Sequence, residues 1–428
     1  MPREIAVSEL EQHNSLESLW IAVNEQVYDM TNFVEEHPGG PENTILNLYD
    51  LEDVAQRTWS AKAWAFIHGA SNDNLTRDAN SRIFQHIWLR PAIMRNVTTV
   101  PVSTKTRLFG ADLDSPIYIA PTGAPKMAGP EAELALTQGA AAKGSLLTIS
   151  TPSSFPHDEI LAVTPKQAFF QLYVNKERHK SEEAVRAVEA TGKVKALFVT
   201  VDLPVSSKRE ADERVKFGPG TTTNLGTSGA LSAKKGDKKG AGLTRQNSSF
   251  IDGSLNWDDI AWLRSFTKLP IVVKGIQRWE DARLAVQHGV QGIVLSNHGG
   301  RAADTSAPTI VTLLELHRNC PEVFDSLEVL VDGGFRRGSD VLKAICLGAS
   351  AVGIGRPFLY SLSYGQEGVE HAFDIMKDEI QTAMQLCGMT DLMRDASPQY
   401  VNTGEVDALV RQGGHPYARE RSRLKANL

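Results

Sequence analysis

Ser296-Asn297-His298-Gly299-Gly300-Arg301, directly behind the apolar run Gly292–Leu295, is the stretch on which fold and chemistry turn. An apolar run that ends in glycines and paired polar side chains reads as a buried parallel strand opening at its carboxyl end, where barrel enzymes assemble their active sites. The glycines let backbone and ligand approach closely. His298 titrates near neutrality and can take a proton from a hydroxyl, while the donor fork of Arg301 can hold a carboxylate. A 2-hydroxy acid carries both groups. On the hexapeptide alone, a surface histidine and arginine in a glycine-rich turn fits nearly as well, so the rest of the chain must decide.

Outward from it, one theme repeats between Ile117 and Ile354: a short apolar, β-branched run, a polar or glycine-bearing turn, then an amphipathic stretch. That is βα alternation. Strands are predicted over Ile117–Ala120, Leu146–Ile149, Ala168–Leu172, Ala196–Val201, Ile271–Lys274, Gly292–Leu295, Val329–Val331 and Ala351–Ile354. Eight such units close a parallel barrel. Their near-continuous apolarity fits strands covered on both faces. Helices are predicted over Glu280–His288 and Ser339–Leu347, with Gly289 and Gly348 placed as C-terminal caps. A doubly wound open sheet would announce a glycine-rich turn after its first strand; Pro121-Thr122-Gly123 is not that turn.

The chain's 428 residues, 41% of them hydrophobic, support a folded core rather than disorder, and the net charge of -6 gives no basic field for nucleic acid or anionic membrane. No apolar run approaches the ~20 residues of a membrane helix. Cys320, Cys346 and Cys387 lack metal-ligand spacing and read as buried thiols in a reducing compartment. A cytoplasmic location is expected first, with mitochondrion and peroxisome open. Ala426-Asn427-Leu428 matches a peroxisomal tripeptide only loosely. Gly218–Ser249, rich in Gly, Ser, Thr and Lys, interrupts the rhythm between strands four and five as a solvated insertion or a lid.

If the eight runs are strands, polar residues at their carboxyl ends share one mouth. They are Pro121, Thr122 and Gly123; Ser150; Gln171 and Tyr173; Thr200 and Asp202; Lys274; His298 and Arg301 with Ser296; Asp332, Gly333, Gly334 and Arg336; and Gly355 and Arg356. Loops after strands seven and eight are where such barrels commonly bind phosphate. Ser150, Gln171 and Thr200 could hydrogen-bond the edge of a planar ring, and Lys274 could stabilise negative charge developing there. This suits flavin mononucleotide better than a nicotinamide dinucleotide.

SNHGGR, with TVDLP plus Arg209, VVKG, DGGFRRGSDVLKA and GIGRPFLY, resembles the FMN-dependent L-2-hydroxy acid dehydrogenase and oxidase family over about residues 44 to 410. The resemblance implies a (β/α)8 TIM barrel, FMN as cofactor, a small 2-hydroxy acid as substrate, an external electron acceptor and a homotetramer. It makes His298 the base that removes the hydroxyl proton, or the α-proton in a carbanion mechanism. Asp202 would stabilise the imidazolium, Arg301 and Arg209 would clamp the carboxylate, and Tyr173 would contact the substrate oxygens. A flavin-binding scaffold without turnover is the alternative. Departures bear on substrate identity: Ala65-Phe66-Ile67-His68-Gly69-Ala70 stands where the family usually carries a tyrosine that binds the carboxylate, Ala302 and Ala303 replace the usual Gln and Leu, and Pro152 helps line the side-chain pocket. Gly123, often alanine in the oxidases, leans towards an acceptor other than oxygen.

The front, Leu19–Val23, a turn, Val27–Met30, then Thr31 opening a helix into His37-Pro38-Gly39-Gly40, resembles the first half of a cytochrome b5-like domain. The resemblance would make His37 an axial haem ligand. The second half, with its second ligand, is missing, so haem is not expected to bind. The expected division is a short degenerate b5-like segment over 1–43 and the barrel domain over 44–428.

Overall fold

Eight strands pair in parallel around the chain's centre, as the βα rhythm predicts. The computed structural model describes residues 44–215 and 250–415, with Glu9, Gln12 and residues 14–15, 18–23 and 26–29 of the front segment. The barrel strands are β1 Ile117–Ile119, β2 Thr148–Ser150, β3 Ala168–Leu172, β4 Val194–Thr200, β5 Ile271–Ile276, β6 Gly292–Leu295, β7 Glu328–Asp332 and β8 Ala351–Ile354. Each pairs with its sequence neighbour from β2 to β8, and β8 pairs with β1. A bridge between Ile119 and Leu147 closes the cylinder. Strands β3, β6 and β8 keep the predicted limits. β5 runs two residues further than predicted, because its register shifts between Lys274 and Ile276, at Gly275 with φ 118°. A bulge at glycine carries pairing past the lysine. The predicted helices run Trp279–Gln287 and Gly338–Cys346, and Gly289 and Gly348 take positive φ behind them.

Two apolar clusters account for the burial. The larger lies between the strands and the surrounding helices. The smaller fills the cylinder's amino end: Tyr118, Leu146, Phe169, Phe198, Val272, Val294 and Leu330 point inward, capped by Leu108, Ala111 and Leu113 of a β-hairpin. Aromatic packing is tight there, with the Phe169 and Phe198 rings 4.9 Å apart and Tyr118 edge-on to both at 5.9 Å. The plug makes the barrel a packed core rather than a pore.

Between residue 44 and the barrel, the described α-helices are α1 Leu48–Thr58, α2 Ala61–His68 and α3 Leu75–Arg82. Asn47 starts α1 through a reciprocal capping box with Asp50. Leu48 and Leu51 are fully buried, and α1 packs on the helix Arg356–Ser361 behind β8. In the front segment, Ser18–Val23 and Gln26–Asp29, over the two runs that the expected turn separates, pair antiparallel. His37, Gly218–Ser249 and Ala426–Leu428 lie outside the described residues. Among the described residues, no helix is long and apolar enough to cross a membrane.

Candidate active site

Side chains along a strand alternate with period two. Two residues beyond each plug residue, therefore, the same inward row reaches the carboxyl mouth: Tyr118 leads to Ala120, Phe169 to Gln171, Phe198 to Thr200, Val272 to Lys274, Val294 to Ser296 and Leu330 to Asp332. One cavity opens there. Its lining includes Pro121, Thr122, Gly123, Ser150, Gln171, Tyr173, Thr200, Arg209, Lys274, His298, Arg301, Asp332, Gly333, Gly334, Arg336, Gly355 and Arg356. Of the expected site residues in the barrel, Asp202 and Ser296 stand behind that lining and act on it. The Ser296 hydroxyl accepts from Lys274 Nζ at 2.8 Å and from the His298 backbone N–H at 3.0 Å, tying the lysine to the turn that carries the base.

His298 has φ 60°, and Gly299 and Gly300 follow at 61° and 81°. A histidine in the left-handed region costs on the order of 1 kcal/mol, and this turn aims the imidazole back into the mouth. Its Nδ1 lies 2.8 Å from Asp202 Oδ1, and its Nε2 lies 3.3 Å from the Tyr173 hydroxyl. With Asp202 accepting from Nδ1–H, Nε2 keeps its lone pair towards the cavity. Burial lowers the imidazole's pKa below its ordinary value, opposed by Asp202 and assisted by Lys274 and Arg209. Burial alone would raise the Asp202 carboxyl; the neighbouring His298 and Lys274 hold it below the ordinary range. Gly275 makes that contact possible, since a Cβ there would meet Asp202 Cβ at 2.6 Å.

Lys274 is 3% exposed and pairs with Asp332 Oδ2 at 2.9 Å. Burial pulls its ammonium down, but Asp332 and Asp202 more than compensate, so it stays charged. Ser150, Gln171 and Thr200 form a chain of side-chain bonds: Ser150 Oγ donates to Gln171 Oε1 at 3.2 Å, and Gln171 Nε2 donates to Thr200 Oγ1 at 2.9 Å. Thr122 Oγ1 and Asp332 Oδ1 are buried in the lining without a protein partner, as groups awaiting a polar ligand would be.

Three arginines converge. Arg301 donates to the carbonyls of Phe66, Ile67 and Gly69 at the end of α2, and its guanidinium lies 5.3 Å from the Phe66 ring. Arg356 donates to Ile67 and Gly69 of the same helix end and to Gly299 O at 2.9 Å. Burial, with mutual repulsion, lowers Arg301 and Arg356 to about 9 and Arg209 to about 10. Crowding like charges in a desolvated mouth favours a bound anion. Arg336 pairs with Glu52 Oε2 of α1 at 2.6 Å.

Sequence reading missed what α1, α2 and α3 contribute. Asn80 on α3 exchanges two hydrogen bonds with Asn297, at 2.8 and 2.9 Å. His68 Nδ1 lies 3.0 Å from the Tyr360 hydroxyl and stacks on Trp64 at 4.2 Å; burial and the nearby Arg77 and Arg356 depress its pKa to about 3. Asp304, in the loop after β6, accepts from the Thr76 N–H at 2.9 Å and the Asp73 N–H at 3.0 Å. The cap of α3 thus comes from more than 200 residues away, which no local motif announces.

Comparison with known proteins adds the following. The sequence profile of the family described as FMN-dependent dehydrogenase matches residues 55–403. That of the cytochrome b5-like heme/steroid binding domain matches residues 6–49, a match that points towards haem and so does not agree with the expectation, argued from the missing second half, that haem does not bind. The chain is similar to L-lactate dehydrogenase (cytochrome) of Wickerhamomyces anomalus, at 36% identity over 476 aligned residues covering 94% of this chain and 80% of that protein. It is similar to the peroxisomal (S)-2-hydroxyacid oxidase GLO3 of Arabidopsis thaliana, at 39% over 345 residues, 80% of this chain and 93% of the other. Among solved structures, the flavin-binding domain of baker's yeast flavocytochrome b2 superposes with TM-score 0.76 and 39% identity, covering 90% of this chain and 94% of that one. These relatives are enzymes, and nothing among them supports a scaffold without turnover.

Proposed function

The chain belongs to the FMN-dependent dehydrogenase family, and on that premise we propose that it oxidises an L-2-hydroxy acid to the 2-oxo acid, with a lactate-like acid as first candidate. FMN, when bound, takes up the electron pair that leaves the substrate carbon. The residues fit that group: Gly333 and Gly334 at φ 96° and 88° bring bare backbone to the cavity, Arg336 and Arg356 bring positive charge beside it, and Lys274, Gln171, Thr200, Ser150 and the unpartnered Thr122 hydroxyl offer polar atoms to a ring edge. Pro121, Gly123 and Gly355 complete the wall where a flat ligand would pass close to backbone.

Substrate handling falls to four side chains. Arg209 and Arg301 attract the carboxylate, Tyr173 donates to a substrate oxygen, and His298 Nε2 takes the proton that must leave with the electrons. Asp202 holds the imidazole in the tautomer with Nε2 free and stabilises the cation that forms. The single observation that carries this reading is the Asp202–His298 pair at 2.8 Å opening onto a cavity shared with Arg209 and Arg301.

The test is anaerobic reduction of the purified protein with a panel of L-2-hydroxy acids. Bleaching of the flavin absorption by one of them is expected; a bound flavin that none bleaches overturns the reading. The same visible spectrum reports haem at the front segment, which we divide from the barrel domain at residues 43 and 44. Gly123 favours an acceptor other than oxygen, and oxygen uptake during turnover measures that directly. Assembly as a homotetramer, implied by the resemblance, is read by sedimentation.

A further inference from the structure

Helix α3 touches two loops that the proposed chemistry uses separately. Arg77 and Asn80 lie three residues apart on one face of it, so they cover adjacent turns. At Gly300, behind the base, a Cβ would meet the Arg77 backbone N at 2.4 Å. At Gly334, in the loop after β7, a Cβ would meet the Asn80 carbonyl O at 2.2 Å; at Gly333 it would meet Asn80 Nδ2 at 3.2 Å. The helix is thus in contact with the base-bearing loop and with the double glycine, and both loops need glycine to accept it.

The Asn80 side chain makes the link specific. Asn80 is 1% exposed and Asn297 fully buried, and each amide both donates to and accepts from the other. Asn297 Oδ1 also accepts from the Gly300 N–H at 3.0 Å, and its Nδ2 donates to Ala307 O at 3.1 Å. The Asn297 amide thus joins Asn80 to the turn that begins at His298, through Gly300, and to the segment behind it, through Ala307. From the other side, Thr309 Oγ1 donates to the Asp332 carbonyl at 2.6 Å, fastening the end of β7 to the segment that follows the same turn. A buried amide pair of this kind fixes geometry, because each broken bond leaves a desolvated polar atom.

We infer that Asn80 is a positioning residue that sets the loop carrying His298 in register with the Gly333–Gly334 loop, so that binding of the FMN phosphate and the placement of the base are coupled through α3. The inference rests on the proposed flavin reading of the double glycine. Neither loop reaches the other through Asn80 alone by charge; the link is packing against two glycines plus the reciprocal amide bonds. Disturbing Asn80 should therefore be felt at both.

The test uses the full chain, stripped of flavin and titrated with FMN, with Asn80→Ala and the milder Asn80→Ser beside an Arg82→Ala control on the exposed side of the same helix. Loss of two buried hydrogen bonds should raise the FMN dissociation constant about tenfold or more, read by quenching of flavin fluorescence. At saturating FMN, kcat should stay about tenfold or more below wild type, and the acidic limb of the kcat/KM profile, which follows His298, should be displaced. Arg82→Ala should match wild type in all three. If saturating FMN restores kcat and the pH profile, Asn80 serves the glycine loop only, and the coupling is wrong. It is equally wrong if Asn80→Ala or Asn80→Ser merely melts earlier, with FMN affinity and saturated kinetics within about twofold of wild type. A wild-type chain that takes up no FMN overturns the flavin reading itself, an outcome distinct from an Asn80 variant that behaves like a flavin-binding wild type.

Discussion

The two ends of the barrel stand on the same eight strands, two residues apart, and their side chains face opposite physical demands. At the amino end, Tyr118, Phe169 and Phe198 are each fully buried in an apolar plug. At the carboxyl end, the next inward residues are Gln171, Thr200, Lys274 and Asp332, equally withdrawn from solvent but hydrogen-bonded or ion-paired. The plug makes the strands stable enough to hold a lysine and a carboxylate in a desolvated layer just above it. Desolvation there lowers His298, and the charges it brings together outweigh it at Asp202 and Lys274, whereas the plug carries little that titrates within reach of neutral pH. Stability and chemistry therefore separate along each strand, and substitutions at the two ends should be separable by measurement.

The sharpest break would come from His298→Gln. Removing the base should lower kcat/KM by about 10²–10⁴-fold, with the melting temperature close to wild type. Opposite it, Phe198→Ala should cost about 3–5 kcal/mol of stability by opening a cavity in the plug, while kcat per folded molecule stays within about twofold of wild type. Denaturant unfolding and steady-state kinetics on both variants check the pair. If Phe198→Ala lowered kcat as far as it lowers stability, or His298→Gln unfolded the chain, the separation would be lost.

Arg301→Lys comes next. Arg301 both faces the cavity and bonds three carbonyls at the end of α2, a fork geometry that an ammonium cannot reproduce. A loss of about 100-fold in kcat/KM, expressed mainly in KM, is expected from weakened carboxylate binding. A variant with unchanged KM for the best acid would remove Arg301 from the clamp.

Proton inventory gives a finer comparison. His298 must be neutral to act as base, and burial holds its pKa below the ordinary 6.5. The kcat/KM profile should therefore fall only as pH drops below that value. Asp202 is the group that raises the imidazole's pKa, so in Asp202→Asn the acidic limb of the surviving activity should move to still lower pH. A limb moving upward would mean that another group controls it.

The barrel was legible because buried parallel strands write themselves as apolar runs with glycine behind the following helices. His298 and Arg301 were legible because their loop starts where a strand stops, and period two then brings Gln171, Thr200, Lys274 and Asp332 to the same mouth. Ends of strands were less so: Gly275 carries β5 through a bulge, which an apolar run cannot report. Least legible were Asn80 and Glu52, which no motif in the sequence marks, and the role of His68, which stands out only as part of the stretch that lacks the family's tyrosine. Their importance comes from tertiary contacts such as Glu52–Arg336 and Asn80–Asn297, separated by more than 200 residues. Arg301 shows the same limit, since sequence suggests its anion but not the α2 carbonyls that already hold it.

The smallest expected effect sits beside the mouth and combines both kinds of burial. Glu133, 2% exposed on the helix Ala132–Ala142, accepts the Ser154 N–H at 2.5 Å, and its other oxygen has no protein partner. Burial raises its pKa from 4.5 to about 7, only partly offset by the backbone hydrogen bonds and Lys126. A folded-state pKa above the unfolded one means that its contribution to stability is fully present below about 4.5 and is lost as pH rises towards 7. Glu133→Gln, which cannot ionise, should leave the melting temperature nearly unchanged at acidic pH and raise it at pH ~8. Because Ser154 lies in the loop behind β2, which carries Pro152 and follows Ser150 directly, the variant also asks whether charge at the barrel's flank disturbs the mouth. Equal melting gains at both pH values would show that packing, not ionisation, limits the native side chain, whereas a gain confined to alkaline pH with unchanged kcat would extend the separation of stability from chemistry to the helices outside the strands.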